Sequence, residues 1–192
     1  MKQTSTKNKI LESMYALIAE KGYDNASIGQ IADRIGIKKA SVYYYFSSKQ
    51  DILLELVQTI YQEDYRKRLG RIQDCRTTES YKAALLELGR DFVSSYFQNQ
   101  TLRKVYAEID IQTSRIPRLQ ALVRQMNQEL KDFLVQVLLY GVEIGAFWPE
   151  FDADGKAQML YVLLIGMDDA ILYELPAQPD VVWEAAVGCL FS

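Results

Sequence analysis

Residues 27–46 read Ser27-Ile28-Gly29-Gln30-Ile31-Ala32-Asp33-Arg34-Ile35-Gly36-Ile37-Lys38-Lys39-Ala40-Ser41-Val42-Tyr43-Tyr44-Tyr45-Phe46, and this stretch decides the fold. Ser27 with Gln30 three residues on is an S-x-x-Q capping box, so a helix opens at 28. Ile28, Ile31, Ala32 and Ile35 recur at i, i+3, i+4 and i+7, one apolar stripe over about 28–35. Gly36 stops it, because glycine enters the left-handed backbone at no steric cost. A second short helix is expected from about Lys39 to Tyr45. Two short helices parted by Gly36-Ile37-Lys38 form a helix-turn-helix pattern, with Ile37 expected as the buried residue at their crossing. The same spacing also arises from plain packing in helical proteins.

The second helix of the pair separates these readings. At 100° per residue, Val42, Tyr45 and Phe46 share one side. Val42 and Phe46 are core candidates, with Tyr45 partly buried. Ala40, Ser41, Tyr43 and Tyr44 then face outward, with Lys38 and Lys39 at the N-terminal end. Small side chains allow close approach to a major groove, hydroxyls reach phosphates or base edges, and lysines neutralise phosphate. The alternative is a tyrosine-rich packing helix.

Outward from this stretch, nearly everything reads as helix. Residues 6–21 carry an apolar stripe of Ile10, Met14, Leu17 and Ile18, closed by Lys21-Gly22. Ser48 caps a helix over 49–70, with Asp51 in its first turn. Further helices are expected at 79–98, 101–114, 117–145, 153–174 and 178–191. The fold class is therefore all-α, with nine helices in two parts. Residues 1–50 form the helix-turn-helix part and 51–192 a larger helical body.

The charge is split in the same place. Residues 1–50 hold eight Lys/Arg against four Asp/Glu, whereas 51–192 hold 14 against 21. A basic head on an acidic body suits one surface meeting a polyanion, although chance clustering of solvated charge gives the same figures. The 192 residues contain no histidine, which excludes Ser-His-Asp and Cys-His catalysis and any zinc site using His. Cys75 and Cys189 lack metal-ligand spacing, and a reducing compartment fits them. No catalytic residue, metal site or cofactor is expected. No apolar run is long enough to span a bilayer and the N-terminus has no apolar leader core, so no membrane association and a cytoplasmic location are expected.

Residues 10–54 resemble the DNA-binding domain of the TetR family of bacterial transcription regulators. The resemblance is carried, in order, by Ile10-Leu11 and Ala16-Leu17, Gly22-Tyr23, Ser27-Ile28, Ile31-Ala32, Gly36-Ile37, Ala40-Ser41-Val42-Tyr43-Tyr44-Tyr45-Phe46, Ser48-Lys49 and Ile52-Leu53-Leu54. It implies that Ser27 contacts phosphate at a helix N-terminus, that Tyr43 and Lys49 bind phosphate, and that Lys38, Lys39, Ala40, Ser41 and Tyr44 approach bases. Two positions depart from the family pattern. Lys38 stands where Ser or Thr is usual, which removes a helix cap worth about 1 kcal/mol. Tyr45 stands where His is frequent.

The resemblance also implies that the body holds a ligand cavity and a dimer interface, the latter a four-helix bundle built by two copies. Leu163, Gly166, Met167, Ala170, Val182, Ala185, Ala186 and Cys189 are the interface candidates; the alternative is that their helices simply close the monomer core. Phe92, Tyr96, Tyr106, Met126, Phe133 and Tyr140 are the pocket candidates, each also readable as ordinary core. Glu108, Asp110, Glu143, Asp168 and Asp169 interrupt apolar stretches and suit either a cationic ligand, an internal Arg partner or a solvated face. The expected protein is a homodimeric, sequence-specific DNA-binding repressor, released from a near-palindromic double-stranded operator by an unknown small-molecule effector. The alternative is a DNA-binding head whose body takes a protein partner instead.

Overall fold

The computed structural model describes residues 5–61, 65–97 and 99–191, with the backbone alone for 93–97. Its helical segments are α1 (Thr6–Lys21), α2 (Ile28–Ile35), α3 (Lys39–Tyr45), α4 (Lys49–Ile60), α5 (Tyr65–Gln73), α6 (Thr78–Phe97), α7 (Gln100–Thr113), α8 (Pro117–Glu143), α9 (Ala153–Leu172) and α10 (Pro179–Gly188). The nine expected helices are all present. The one read over 49–70 is described as two segments, α4 and α5, with residues 62–64 outside the described set. No strand occurs among the described residues.

Local chemistry sets the boundaries of the first helices. Ser5 Oγ accepts from Asn8 N at the start of α1, and Gly22 N returns to Ile18 O at its end. Both halves of the capping box on α2 form: Gln30 N donates to Ser27 Oγ at 3.3 Å, and Ser27 N donates to Gln30 Oε1 at 3.0 Å. Gly36 lies at φ 71°, ψ 34°, and Ile37 N donates to Ala32 O, the 6→1 bond of a Schellman stop. Ile37 itself is half-buried, not the core residue expected; Ile28, Ile31, Ala32 and Val42 fill the crossing. Lys38 stands at the N-cap of α3 without a side-chain hydrogen bond, as its departure from Ser or Thr predicts.

Packing divides the chain into Met1–Gln62 with Gln100–Arg124, and Glu63–Asn99 with Gln125–Ser192. The boundary expected after residue 50 is not where packing divides it. The apolar face of α4 (Ile52, Leu53, Leu56, Val57) and that of α7 (Val105, Ile109) are buried, and both helices pack on α1. These two helices enlarge the core that α1, α2 and α3 build.

The second unit is built around α6, α9 and α10, which pack on one another. Tyr81, Leu85, Leu134, Val137, Leu138, Leu160, Trp183 and Val187 are its most buried members. Its buried polar atoms are satisfied: Tyr81 Oη donates to Val137 O at 2.8 Å and Trp183 Nε1 to Leu85 O at 2.9 Å. Burial pushes the Tyr81 phenol well above its ordinary range.

At the start of α4, Asp51 N donates to Ser48 Oγ at 3.1 Å, while Ser48 Oγ donates to Asp51 Oδ2 and Arg118 Nη1 to Asp51 Oδ1, each at 2.8 Å. The Ser48 hydroxyl first, and Arg118 second, hold the Asp51 carboxyl below the usual carboxylate range. A depressed folded value contributes stability that is present above the unfolded value of about 3.9 and is lost as pH falls through the folded one. Asp51→Asn is expected to cost about 1 kcal/mol at pH 7 and to flatten the loss of stability between about pH 5 and 2. Urea unfolding at pH 7, 5 and 3 measures this, and an unaltered pH slope would contradict it.

Candidate nucleic-acid interface

The short helix α3 is held to the head by one side. Val42 is 0% exposed and Phe46, just past its end, is buried beside it. Everything else points outward: Lys38, Lys39, Ala40 and Ser41 are exposed, and Tyr43, Tyr44 and Tyr45 are among the large exposed hydrophobic residues, Tyr44 at 84%. Tyr45 is therefore more exposed than its helical angle suggested. Tyr44 and Tyr45 meet edge to face at 5.1 Å. Three exposed aromatic rings cost free energy in water, with no fold-stabilising return. Their hydroxyls, with the two lysines and the small Ala40 and Ser41, make a surface that fits a major groove edge.

Ser27 is exposed at the start of α2. Its oxygen accepts from Gln30 N, which leaves the hydroxyl proton for an outside acceptor. The free N–H groups of the first turn and the helix dipole favour an anion there.

Lys49 stands at the start of α4. Its ammonium turns inward and donates to Tyr23 O and Ala26 O at 3.0 Å each and to Asp24 O at 3.4 Å. It lies over the Tyr23 ring, 4.2 Å from the centroid. Burial pushes the Lys49 amine below its ordinary range, and Asp24 partly opposes that.

Residues beyond the pattern brace the same turn. Gln112, 2% exposed, donates to Glu108 Oε1 at 3.0 Å and approaches Asp24 Oδ1 at 3.4 Å. Arg115 pairs with Asp24 at 3.2 Å, and Arg118 with Asp51. Gln112, Arg115 and Arg118 were not singled out from the sequence. The available signal is the row Val105, Ile109, Gln112, Ile116, an apolar stripe with one amide in it.

Residues 10–56 match the profile of "Bacterial regulatory proteins, tetR family". Over those residues the chain is similar to the tetR family. "Probable HTH-type transcriptional regulator YttP" of Bacillus subtilis (strain 168) is 34% identical over 115 residues, 59% of this chain and 55% of that protein. The "Biofilm operon icaADBC HTH-type negative transcriptional regulator IcaR" of Staphylococcus aureus (strain Newman) is 35% identical over 77 residues, 40% of each chain. The chain thus spans 55% of the first relative's length and 40% of the second's. A transcriptional regulator from Saccharomonospora viridis, solved in complex with choline, superposes with a TM-score of 0.72 over 96% of this chain and 94% of that one, at 22% identity. That likeness speaks for the fold.

Outside the TetR-type head, the candidate residues scatter. Among the described pocket candidates, only Phe133 lines the open cleft of about 580 Å³ between α5 and α8, beside Tyr65, Arg66, Leu69, Glu129, Asp132 and Gln136. Phe133 stacks on Tyr65 at 5.0 Å. The Tyr140 hydroxyl is committed elsewhere: it lies 2.7 Å from both Gln73 O and Cys75 O, donating, and accepts from Arg76 Nη1 at 3.2 Å, so it fastens the α5–α6 loop. Tyr106 belongs to the other compact unit, against Tyr61. Phe92 lies under the Arg68 guanidinium and Met126 is half-buried. The Tyr96 side chain lies outside the described residues. None of the five noted carboxylates is buried: Asp110, Glu143 and Asp169 are exposed, Glu108 and Asp168 half-buried.

The dimer candidates divide as well. Met167, Ala170 and Ala186 are buried in the chain's own core, which removes them as contacts for a second copy. Leu163 and Val182 are half-buried, and Gly166, Ala185 and Cys189 are exposed. Exposed beside them are Val162, Tyr173 and Val181, which sequence reasoning passed over. Val162, Gly166 and Tyr173 fall on one face of α9, and Val181, Ala185 and Cys189 on one face of α10.

Proposed function

We propose that this protein is a sequence-specific DNA-binding transcriptional regulator, a repressor that acts as a homodimer and leaves its operator when the body binds a small molecule. The observation that carries the reading is the surface of α3, where Ala40, Ser41, Tyr43 and Tyr44 are exposed and only Val42 is buried. Ser27, Tyr43 and Lys49 hold phosphates, which sets the register, while Lys38, Lys39, Ala40, Ser41 and Tyr44 approach base edges. The DNA-binding function falls to residues 1–50, and ligand binding and dimerisation to 51–192.

The exposed apolar faces of α9 and α10 support the dimer, with Leu163, Gly166, Val182, Ala185 and Cys189 joined by Val162, Tyr173 and Val181. A twofold dimer places two recognition helices about 34–36 Å apart, one turn of DNA, and so reads a near-palindrome. The IcaR relative supports repression, and the choline-bound neighbour supports a small-molecule effector. Linkage then requires the effector and DNA to weaken each other's binding by one factor. Such a regulator works in the cytoplasm.

Selection of duplexes from a random pool, followed by salt titration of the winner, tests the reading. A near-palindrome is expected, with log affinity falling against log salt by about 0.9 per phosphate neutralised. Recovery of nothing tighter than non-specific DNA would end the proposal.

A further inference from the structure

We propose that the elbow joining α7 to α8 is a further DNA-backbone contact, in which Arg115 and Arg118 each take a phosphate of the duplex next to those held by Ser27 and Lys49. This rests on the reading of the head as a DNA-binding domain. The charge divides more sharply along the packing boundary than after residue 50. The unit of residues 1–62 with 100–124 holds 13 Lys/Arg against eight Asp/Glu, and the remainder nine against 17. The elbow supplies much of that excess, because residues 111–128 contain Arg115, Arg118 and Arg124 and no acid. A basic run thus falls in a part of the acidic body that packs with the head, where a polyanion would meet it.

Both arginines are tied beside the phosphate-holding residues. Arg115 Nη1 pairs at 3.2 Å with Asp24 Oδ2, and Asp24 stands three residues before Ser27. Arg118 Nη1 pairs at 2.8 Å with Asp51 Oδ1, and Asp51 stands two residues after Lys49, about 3 Å along the axis of α4. The two side chains remain largely in water, 60% and 63% exposed. A guanidinium has five N–H donors, and each carboxylate here takes one. The other donors of a fork aimed by a carboxylate suit the oxygens of a phosphate. Stability alone gives little reason for either residue, since exposed ion pairs contribute little. Arg118 is the second residue of α8, an end at which the helix dipole disfavours a cation, and no acid stands in that first turn.

The test measures affinity for the selected operator against salt, by fluorescence anisotropy, for wild type, Arg115→Gln, Arg118→Gln and the double variant. Each arginine lost is expected to lower the slope of log affinity against log salt by about 0.9 per protomer, and to weaken binding about tenfold or more at about 0.1 M salt. A phosphate carries no sequence, so the same fall in slope is expected on a random duplex. Asp24→Asn and Asp51→Asn break the same two ion pairs but keep the arginines, so the slope should hold or rise. Arg66→Gln, at an exposed arginine of the other unit, should leave the slope unchanged.

An unchanged slope in either single variant removes that arginine, and in both overturns the contact. An equal loss of slope in the aspartate variants overturns it too, and makes the pairs internal braces of the head. So does an equal loss in Arg66→Gln, because the arginines would then act through net charge alone. A thermal melt shows whether each variant is folded, and if the double variant is not, the single ones carry the test. Failure of the wild type to bind any duplex strikes the functional reading and the contact with it, whereas wild-type binding with unchanged variant slopes strikes the contact alone.

Discussion

Ala40→Glu is expected to reduce operator binding on the order of 100-fold or more while leaving the protein folded. Ala40 is exposed on α3, the second residue of that helix, on the surface opposite buried Val42. In the proposed docking its methyl group is what lets the helix backbone come close to the groove. Glutamate adds bulk there and a negative charge between two rows of phosphate, and like-charge juxtaposition at an interface costs several kcal/mol. The folded state has no such objection. A carboxylate in the first turn of a helix interacts favourably with the helix dipole, worth roughly 0.3–1 kcal/mol. That helix has no side-chain cap of its own at Lys38. The melting temperature should therefore hold or rise slightly as DNA binding disappears. Fluorescence anisotropy with the selected duplex and a thermal melt decide it. Retained affinity would mean that α3 does not enter the groove by this face.

Trp183→Ala is expected to have the largest effect on stability, about 3–5 kcal/mol, by removing the biggest fully buried side chain of the second unit. The indole is 1% exposed, and its N–H satisfies Leu85 O in the interior of α6. Its fit is matched from the other side by Gly89, where an added Cβ would overlap the indole ring. Glycine in a helix interior costs about 1 kcal/mol against alanine, so Gly89 is retained for this close approach. The consequence is a strong coupling. Gly89→Ala forces the ring aside and should cost about 1–3 kcal/mol in the native background. In the Trp183→Ala background the methyl group enters vacated space, and the same change should cost little or be favourable. A double-mutant cycle by urea unfolding reads that difference directly. Additive effects would mean that the indole does not sit over Gly89.

The head was legible from sequence because its evidence is local. A capping box spans four residues, a glycine stop spans six, and the division of α3 into one buried side and one open side repeats every 3.6 residues. Val42 and Phe46 inside, with Ala40, Ser41, Tyr43 and Tyr44 outside, follow from that period. The resemblance to the family rests on those same residues. The boundary after residue 50 was drawn at the end of the helix-turn-helix pattern, where the charge balance also changes, whereas packing groups α4 and α7 with α1. Core formation recruits α4 and α7 by their apolar faces.

The body was less legible for a related reason. In α9, apolar and small residues occur nearly all round the helix, so its period does not mark an inside. The arrival of α6 and α10 buries Met167 and Ala170 and leaves Val162 and Tyr173 in water. Aromatic content likewise named Tyr140 for a pocket, whereas its hydroxyl reaches the carbonyls of Gln73 and Cys75, 67 and 65 residues earlier in the chain.

Sequence alone therefore settled the helix class, the boundaries of α1, α2 and α3, and which side of α3 is presented outward, since each depends on neighbours within one or two turns. Tertiary structure alone decided where Lys49 points. Its four-carbon stem leaves the ammonium free to reach solvent or protein. Only the folding of α1 against α4 brings the carbonyls of residues 23–26 within 3.4 Å, close enough to replace the water that a surface lysine would otherwise keep.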